Sequence, residues 1–172
     1  GTAEYRFGGG RAQAGFTLAD GELVEWQNIA ALLGAPNSSG AVAVVADGPA
    51  VVTARTFNNA PEGTFGQFLP GLEAIAAIAA GGSGIVSQIK STDAFRTNIG
   101  FTNYSSAACD VVVTLHGADG GQLGSPVSAT GIPAGGWQQV NRIFQAAGAG
   151  ECPIAYAVVT PVTPGCAVWA YG

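Results

Sequence analysis

Phe95-Arg96-Thr97-Asn98-Ile99-Gly100-Phe101-Thr102 is the stretch that decides the fold class. Successive side chains of a β-strand leave on opposite faces, so Phe95, Thr97, Ile99 and Phe101 share one face. Val111-Val112-Val113-Thr114-Leu115 reads as the next strand, and Ala118-Asp119-Gly120-Gly121 as a hairpin turn whose Asp-Gly step tolerates positive φ. Further strands are predicted over 137–140, 155–160 and 167–171. Toward the N-terminus the same pattern marks 3–7, 15–18, 23–27, 41–46, 51–57 and 64–69, with turn chemistry at Asp47-Gly48-Pro49 and across 58–63. Short strands punctuated by Gly and Pro favour a β-sandwich over an α/β fold.

Helical periodicity is scarce. Short pieces are predicted over 29–33 and 142–147, each stopped by a Gly suited to a left-handed cap, and a third over 72–80, where Leu72, Ile75 and Ile78 recur at helical spacing before Gly81.

The 172-residue chain is long enough to bury roughly 70% of its unfolded surface. Charged residues make up only 10% and the net charge is −5, with Lys90 the single lysine. Without a basic stripe to meet phosphates, no nucleic-acid partner is expected, and an anionic membrane surface is disfavoured for the same reason. The longest apolar run, around 75–80, is far too short to span a bilayer, so no membrane insertion is expected.

Three cysteines, Cys109, Cys152 and Cys166, lack the Cys-x-x-Cys spacing of zinc or redox sites. In an oxidising compartment one pair would form, and three pairings are possible. Cys109 with Cys152 is favoured, because each precedes a predicted strand and strand starts can lie side by side at one end of a sandwich. Cys152 with Cys166 comes next, although a turn over 161–165 would set Cys166 near Thr160 and leave Cys152 out of reach. The alternative is three buried thiols acting as small hydrophobes.

The chain also resembles itself. Residues 18–45 laid over 132–159, an offset of 114, agree at eight of 28 positions: Gly21, Ile29, Gly34, Ala35, Ala41, Ala43, Val44 and Val45. A repeat of this kind signals duplicated structural units. The expected organisation is a first unit over 1–70, a connecting segment with a short helix over 71–92, and a second unit over 93–172. In this frame the first unit lacks the counterpart of 95–103 and the second the counterpart of 64–69. Either the chain is part of a longer tandem array, or another copy supplies the missing strands.

The segments Phe95-Arg96-Thr97-Asn98-Ile99-Gly100, Pro133-Ala134-Gly135-Gly136-Trp137-Gln138-Gln139-Val140-Asn141-Arg142-Ile143-Phe144, Val168-Trp169-Ala170-Tyr171, Arg55-Thr56-Phe57-Asn58 and Gly63-Thr64-Phe65-Gly66-Gln67-Phe68 resemble the tandem β-sandwich repeats of large secreted and surface proteins of bacteria. That resemblance implies an all-β chain of two immunoglobulin-like β-sandwich units in tandem, secretion to the extracellular space or cell surface, and a spacer, adhesive or assembly role. It carries no active site to transfer.

Reactive groups are few. His116 is the single histidine, and its place beside the 117–121 turn needs no special role. No nucleophile elbow, Walker loop or His-Glu-x-x-His motif occurs, and the glycine-rich stretches at 8–10 and 81–84 lack the lysine or helix entry of a phosphate cradle. Asp20, Glu22 and Glu25 cluster loosely, without the converging oxygens calcium needs. No catalytic, cofactor or metal residue is therefore assigned. Trp26, Trp137 and Trp169 fall in predicted strands, Trp26 reading as a buried structural residue. Phe65, Phe68, Tyr104 and Tyr171, near turns or the chain end, are the candidate interface aromatics.

The expectation is a non-enzymatic extracellular structural module that self-associates, as a subunit of a filament or surface assembly completed by strand exchange between copies. The alternatives are an adhesion module with a glycan or protein ligand, and an accessory domain of a larger secreted hydrolase.

Overall fold

A computed structural model describes every residue except Gly8, Gly9 and Glu62, and all strand side chains but those of Ala60, Thr64 and Phe65. In chain order the elements are β1 (Thr2–Phe7), β2 (Gly10–Gly15), α1 (Ile29–Leu32), β3 (Gly40–Val45), β4 (Thr53–Ala60), β5 (Gly63–Pro70), a single 3₁₀ turn (Ala74–Ala76), β6 (Ile78–Ala79), β7 (Gly84–Ser91), β8 (Ile99–Asn103), β9 (Cys109–Gly117), β10 (Gln122–Ile132), β11 (Trp137–Val140), α2 (Ile143–Ala146), β12 (Cys152–Pro161) and β13 (Ala167–Tyr171). The protein is all-β, with antiparallel strand pairing throughout the described residues.

Residues 78–171 form a sandwich of two four-stranded sheets, ordered β10-β9-β12-β7 and β11-β8-β13-β6. Strict alternation along β9 sends Cys109, Val111, Val113 and Leu115 inward, fully buried, while Val112 and Thr114 face out. Beside them in the same sheet are Ala157 and Val159 of β12, and against this face lie Ile99 and Phe101 of β8 and Val168 of β13, all at 0% exposure. Ile143 and Phe144 of α2 extend the same core. The Asp119-Gly120 turn forms as expected: Gly117 N–H donates to Gly121 O at 2.9 Å, and Asp119 Oδ1 accepts from Gly121 N–H.

The first 70 residues are built differently. β2-β1-β3 form a three-stranded sheet and β4-β5 a separate two-stranded ribbon. Buried hydrophobic residues here are few: Ala3, Tyr5 and Ala35. Tyr5 is held by its hydroxyl, 3.0 Å from Ser38 Oγ, and Ser38 in turn donates to Ala35 O. Every described residue of β4 is exposed.

The 114-residue offset reappears in the backbone. α1 and α2 begin at Ile29 and Ile143 and span four residues each. Both end in the same left-handed cap, with Gly34 (φ 75°) and Gly148 (φ 65°), and Ala35 N–H returns to Ala30 O as Ala149 N–H returns to Phe144 O, both at 2.8 Å. The order β2-β1-β3 repeats β10-β9-β12, and β4 begins 114 residues before β13. Surroundings differ where local structure does not: Val159 is fully buried under the opposing sheet, whereas its counterpart Val45 is 67% exposed.

Four expectations are corrected. The helix over 72–80 is replaced by the 3₁₀ turn and β6. Ile75 is 90% exposed, so a helix there would have had no face to bury, while as a strand Ile78 pairs with Val168 and packs on the core. The segment 71–92 is therefore no mere connector, since β6 and β7 are edge strands of the sandwich. Strands over 15–18 and 23–27 do not form; residues 16–28 are irregular, and Trp26 is a half-buried loop residue packed edge-on against Phe16 at 5.7 Å. Within 95–103 only Ile99–Asn103 is a strand. Thr97 turns its hydroxyl to the Lys90 backbone and Phe95 lies outside under the Lys90 ammonium, 4.3 Å from the ring centre.

Counterpart valines offer a direct check. Val159→Ala is expected to lower unfolding free energy by about 2 kcal/mol through lost packing, and Val45→Ala to change it by less than about 0.5 kcal/mol, read from urea denaturation. Equal costs would contradict the difference in burial.

Candidate functional site

Cys109 is bonded to Cys166, with Cα atoms 5.6 Å apart, and Cys152 is free. This corrects the favoured pairing of Cys109 with Cys152. β12 runs antiparallel to β9, with Ala155 opposite Gly117 and Pro161 opposite Val111, so the start of β12 lies at the far end of β9 from Cys109. The turn after β12 returns to that end instead, where Val162 N–H donates to Asp110 O and Thr163 Oγ1 accepts from Asp110 N–H. Cys166 thus arrives beside Cys109, and the pairing of Cys152 with Cys166 fails for the same reason.

Asn103 anchors this end of the sandwich. It is the one buried polar residue among those described. Its Nδ2 lies 2.8–3.0 Å from the carbonyl oxygens of Ala107, Ile132 and Pro133, and its Oδ1 accepts from Ser105 N–H at 2.7 Å. Full satisfaction is what makes such burial tolerable. Cys109 Sγ sits 3.2 Å from the same Oδ1. Nothing in the local sequence marks Asn103 for burial, because an Asn at a strand end carries no packing pattern.

On the outward face of β11-β8-β13, cross-strand register places Trp137 and Trp169 on either side of Thr102, and Gln139 and Tyr171 on either side of Gly100. The Tyr171 ring lies where a Cβ on residue 100 would have to go, so Gly100 is required for that ring to cross its neighbour strand. Trp137 Nε1–H donates to Tyr171 Oη at 2.9 Å. All three rings are half-buried, and Trp169 Nε1 is enclosed without a hydrogen-bond partner. Burial pushes the Tyr171 phenol above its ordinary pKa, with the Trp137 bond opposing in part. Tyr104 shifts upward for the same cause, offset by the Arg6 guanidinium nearby.

Of the four candidate interface aromatics, Phe68 is 62% exposed on the ribbon and Tyr104 is 39% exposed, while Tyr171 belongs to the cross-strand cluster just described. The Phe65 side chain lies outside the described residues. Sequence reasoning placed Trp137 and Trp169 in strands but could not show that they share a row, because register is a cross-strand property.

Polar contacts tie the two parts of the chain together. Arg6, paired with Glu4, donates to Gly135 O at 3.3 Å, Arg11 donates to Ala134 O at 3.3 Å, and Gln67 Nε2 donates to Gly172 O at 2.8 Å. His116 stacks on Tyr156 at 5.1 Å with Nδ1 3.0 Å from Gly120 O, a cross-strand pair. Among the described residues no three His, Cys, Asp or Glu side chains converge as a metal site would require. A shallow depression of about 60 Å³, lined by Ser91, Thr97, Arg142, Phe144 and Gln145, has room for only a few waters. Comparison with known protein families, curated proteins and solved structures found no match to this chain.

Thiol counting under denaturing, non-reducing conditions is expected to find one reactive thiol, Cys152, rising to three after reduction. Opening the 57-residue loop in Cys109→Ala/Cys166→Ala removes about 4 kcal/mol on the chain-entropy model, read by urea unfolding. Because the folded pKa of Tyr171 is raised, its contribution to stability is complete below the unfolded tyrosine value of about 10 and is lost as pH rises through the folded value. Ultraviolet titration of phenolate should show Tyr171 ionising later than an exposed tyrosine, and Trp137→Phe should raise that pKa further.

Proposed function

We propose that the chain is a non-enzymatic extracellular structural module, a subunit of a filament or surface assembly whose unfinished first part is completed by strand exchange with neighbouring chains. The single observation that carries this reading is the β4-β5 ribbon. Among the described residues these two eight-residue strands pair only with each other, which leaves their outer edges without a strand partner and Phe57 and Phe68 exposed. An isolated two-stranded ribbon is marginal in water, and an open edge is a template for another strand. Few charges oppose such contact. The Cys109–Cys166 disulfide supports an oxidising, extracellular setting. The shared offset, caps and sheet order support reading the two parts as tandem units of one immunoglobulin-like design.

A second reading, an adhesion module with a glycan or protein ligand, draws support from the Trp137, Trp169 and Tyr171 cluster on one sheet face. Rings presented side by side suit stacking on sugars or partner side chains.

Size-exclusion with light scattering tests the first reading. Mass is expected to rise above the monomer with concentration, and deletion of residues 53–70 to abolish the rise. A monomer at all concentrations from micromolar upward, with an intact fold, overturns it. His116→Ala is expected to leave assembly unchanged.

A further inference from the structure

We infer that the free edge of β4 is a strand-acceptor site for an extended segment of the β8 sequence type, bound antiparallel with a glycine opposite Phe57. This deepens the assembly reading above and rests on it in treating the first part as unfinished.

The chain contains its own template for the missing contact. β13, the counterpart of β4 at the 114-residue offset, is hydrogen-bonded on one side to β8, with Val168 opposite Asn103, Trp169 opposite Thr102, Ala170 opposite Phe101 and Tyr171 opposite Gly100. Its other side meets β6. Among the described residues β4 pairs with β5 alone, which follows it directly in a hairpin. The carbonyl of Cys166 accepts from Ala80 N–H on the β6 side and that of Ala167 from Tyr104 N–H on the β8 side, while the carbonyl of Val52, 114 residues before Cys166, accepts from Gly71 N–H at the end of β5; β5 therefore corresponds to the β6 side and the open edge of β4 to the β8 side.

Transferring the register sets Ala54, Arg55, Thr56 and Phe57 against positions equivalent to Asn103, Thr102, Phe101 and Gly100. Phe57, 58% exposed, then stands where Tyr171 stands. Tyr171 occupies the space that a side chain at residue 100 would need. An incoming strand must therefore offer Gly at that point, or the Phe57 ring cannot lie across it. Main-chain hydrogen bonds along the edge would supply affinity, and this aromatic-over-glycine fit the selectivity.

A folded second copy keeps its own β8 engaged, so exchange between copies requires that strand to be released from the donor's sandwich. Ile99 and Phe101 are fully enclosed and β8 is hydrogen-bonded on both sides, to β11 and β13. The donor is a β8-type segment not already built into a sandwich. The acceptor edge, in contrast, is exposed along its described length.

The probe is a fluorescein-labelled synthetic peptide of residues 93–105 added to the full chain, with binding read by anisotropy and location by amide hydrogen exchange. Saturable binding is expected, with at least tenfold slower exchange over 54–57. The Gly100→Val peptide is expected to bind at least tenfold more weakly to the native chain. Phe57→Ala in the chain, whose exposed position leaves the sandwich folded by near-ultraviolet circular dichroism, should lose most of that glycine preference. Absence of binding, equal binding of a scrambled peptide, equal binding of the Gly100→Val peptide, or protection confined to β7, β10 or β13 would each overturn the inference. The oligomer measurement is separate, so a chain that binds the peptide yet stays monomeric would refute assembly between copies and leave the acceptor edge standing.

Discussion

Phe101 marks the interaction on which the structure depends, the contact between the inward faces of β8 and β13 and those of β9 and β12. Ile99, Phe101 and Val168 on one side meet Val111, Val113, Leu115, Ala157 and Val159 on the other, all without solvent exposure. Each such side chain contributes on the order of 1.5–3 kcal/mol when removed from water. That layer recruits everything around it. Ile78 and Ile89 are drawn in from β6 and β7, α2 lays Ile143 and Phe144 against it, and the Cys109–Cys166 bond closes the end at which the Asn103 amide meets the carbonyls of Ala107, Ile132 and Pro133.

The first part of the chain repeats much of this local structure without the layer. Its hairpin, its short helix with a left-handed glycine cap and its following strand all form, because each is specified by neighbours a few residues away. What it lacks is an opposing sheet. Val45 is left in solvent, β4 pairs with β5 alone among the described residues, and hydrogen bonds to the sandwich run through Arg6, Arg11 and Gln67. A strand carries two requirements, cover for its apolar face and partners for its backbone edges, and here both remain open.

This asymmetry is why the functional argument turns on edges and faces. The one histidine is engaged in a stacked cross-strand pair, and the shallow depression near Arg142 offers little volume. The surfaces with unsatisfied physical demands are the ribbon and the aromatic cluster around Gly100. On the proposed readings, the first would take another strand and the second a planar ligand face.

The sequence by itself determined what depends on short range. Alternation at Ile99, Phe101 and along 111–115 established strands, Asp119-Gly120 established the hairpin turn, Gly34 and Gly148 established where the helices stop, and the 114-residue offset aligned the segments of α1 and α2. These follow from side-chain period and from φ values that glycine accepts readily. Only the tertiary structure decided which cysteine meets Cys109, because antiparallel pairing sends the start of β12 to the far end of β9. It alone turned 78–79 into an edge strand, since the pull on Ile78 comes from a core assembled elsewhere in the chain. It also made β10 a strand of 11 residues across Gly124, Pro126 and Gly131, which punctuate the sequence like loop residues but are accommodated by register shifts against β9. Trp26 went the other way, into a loop, for want of a strand to lie beside. Strand pairing and burial are contacts between distant residues, and a local pattern can prepare a segment for them without choosing its partner.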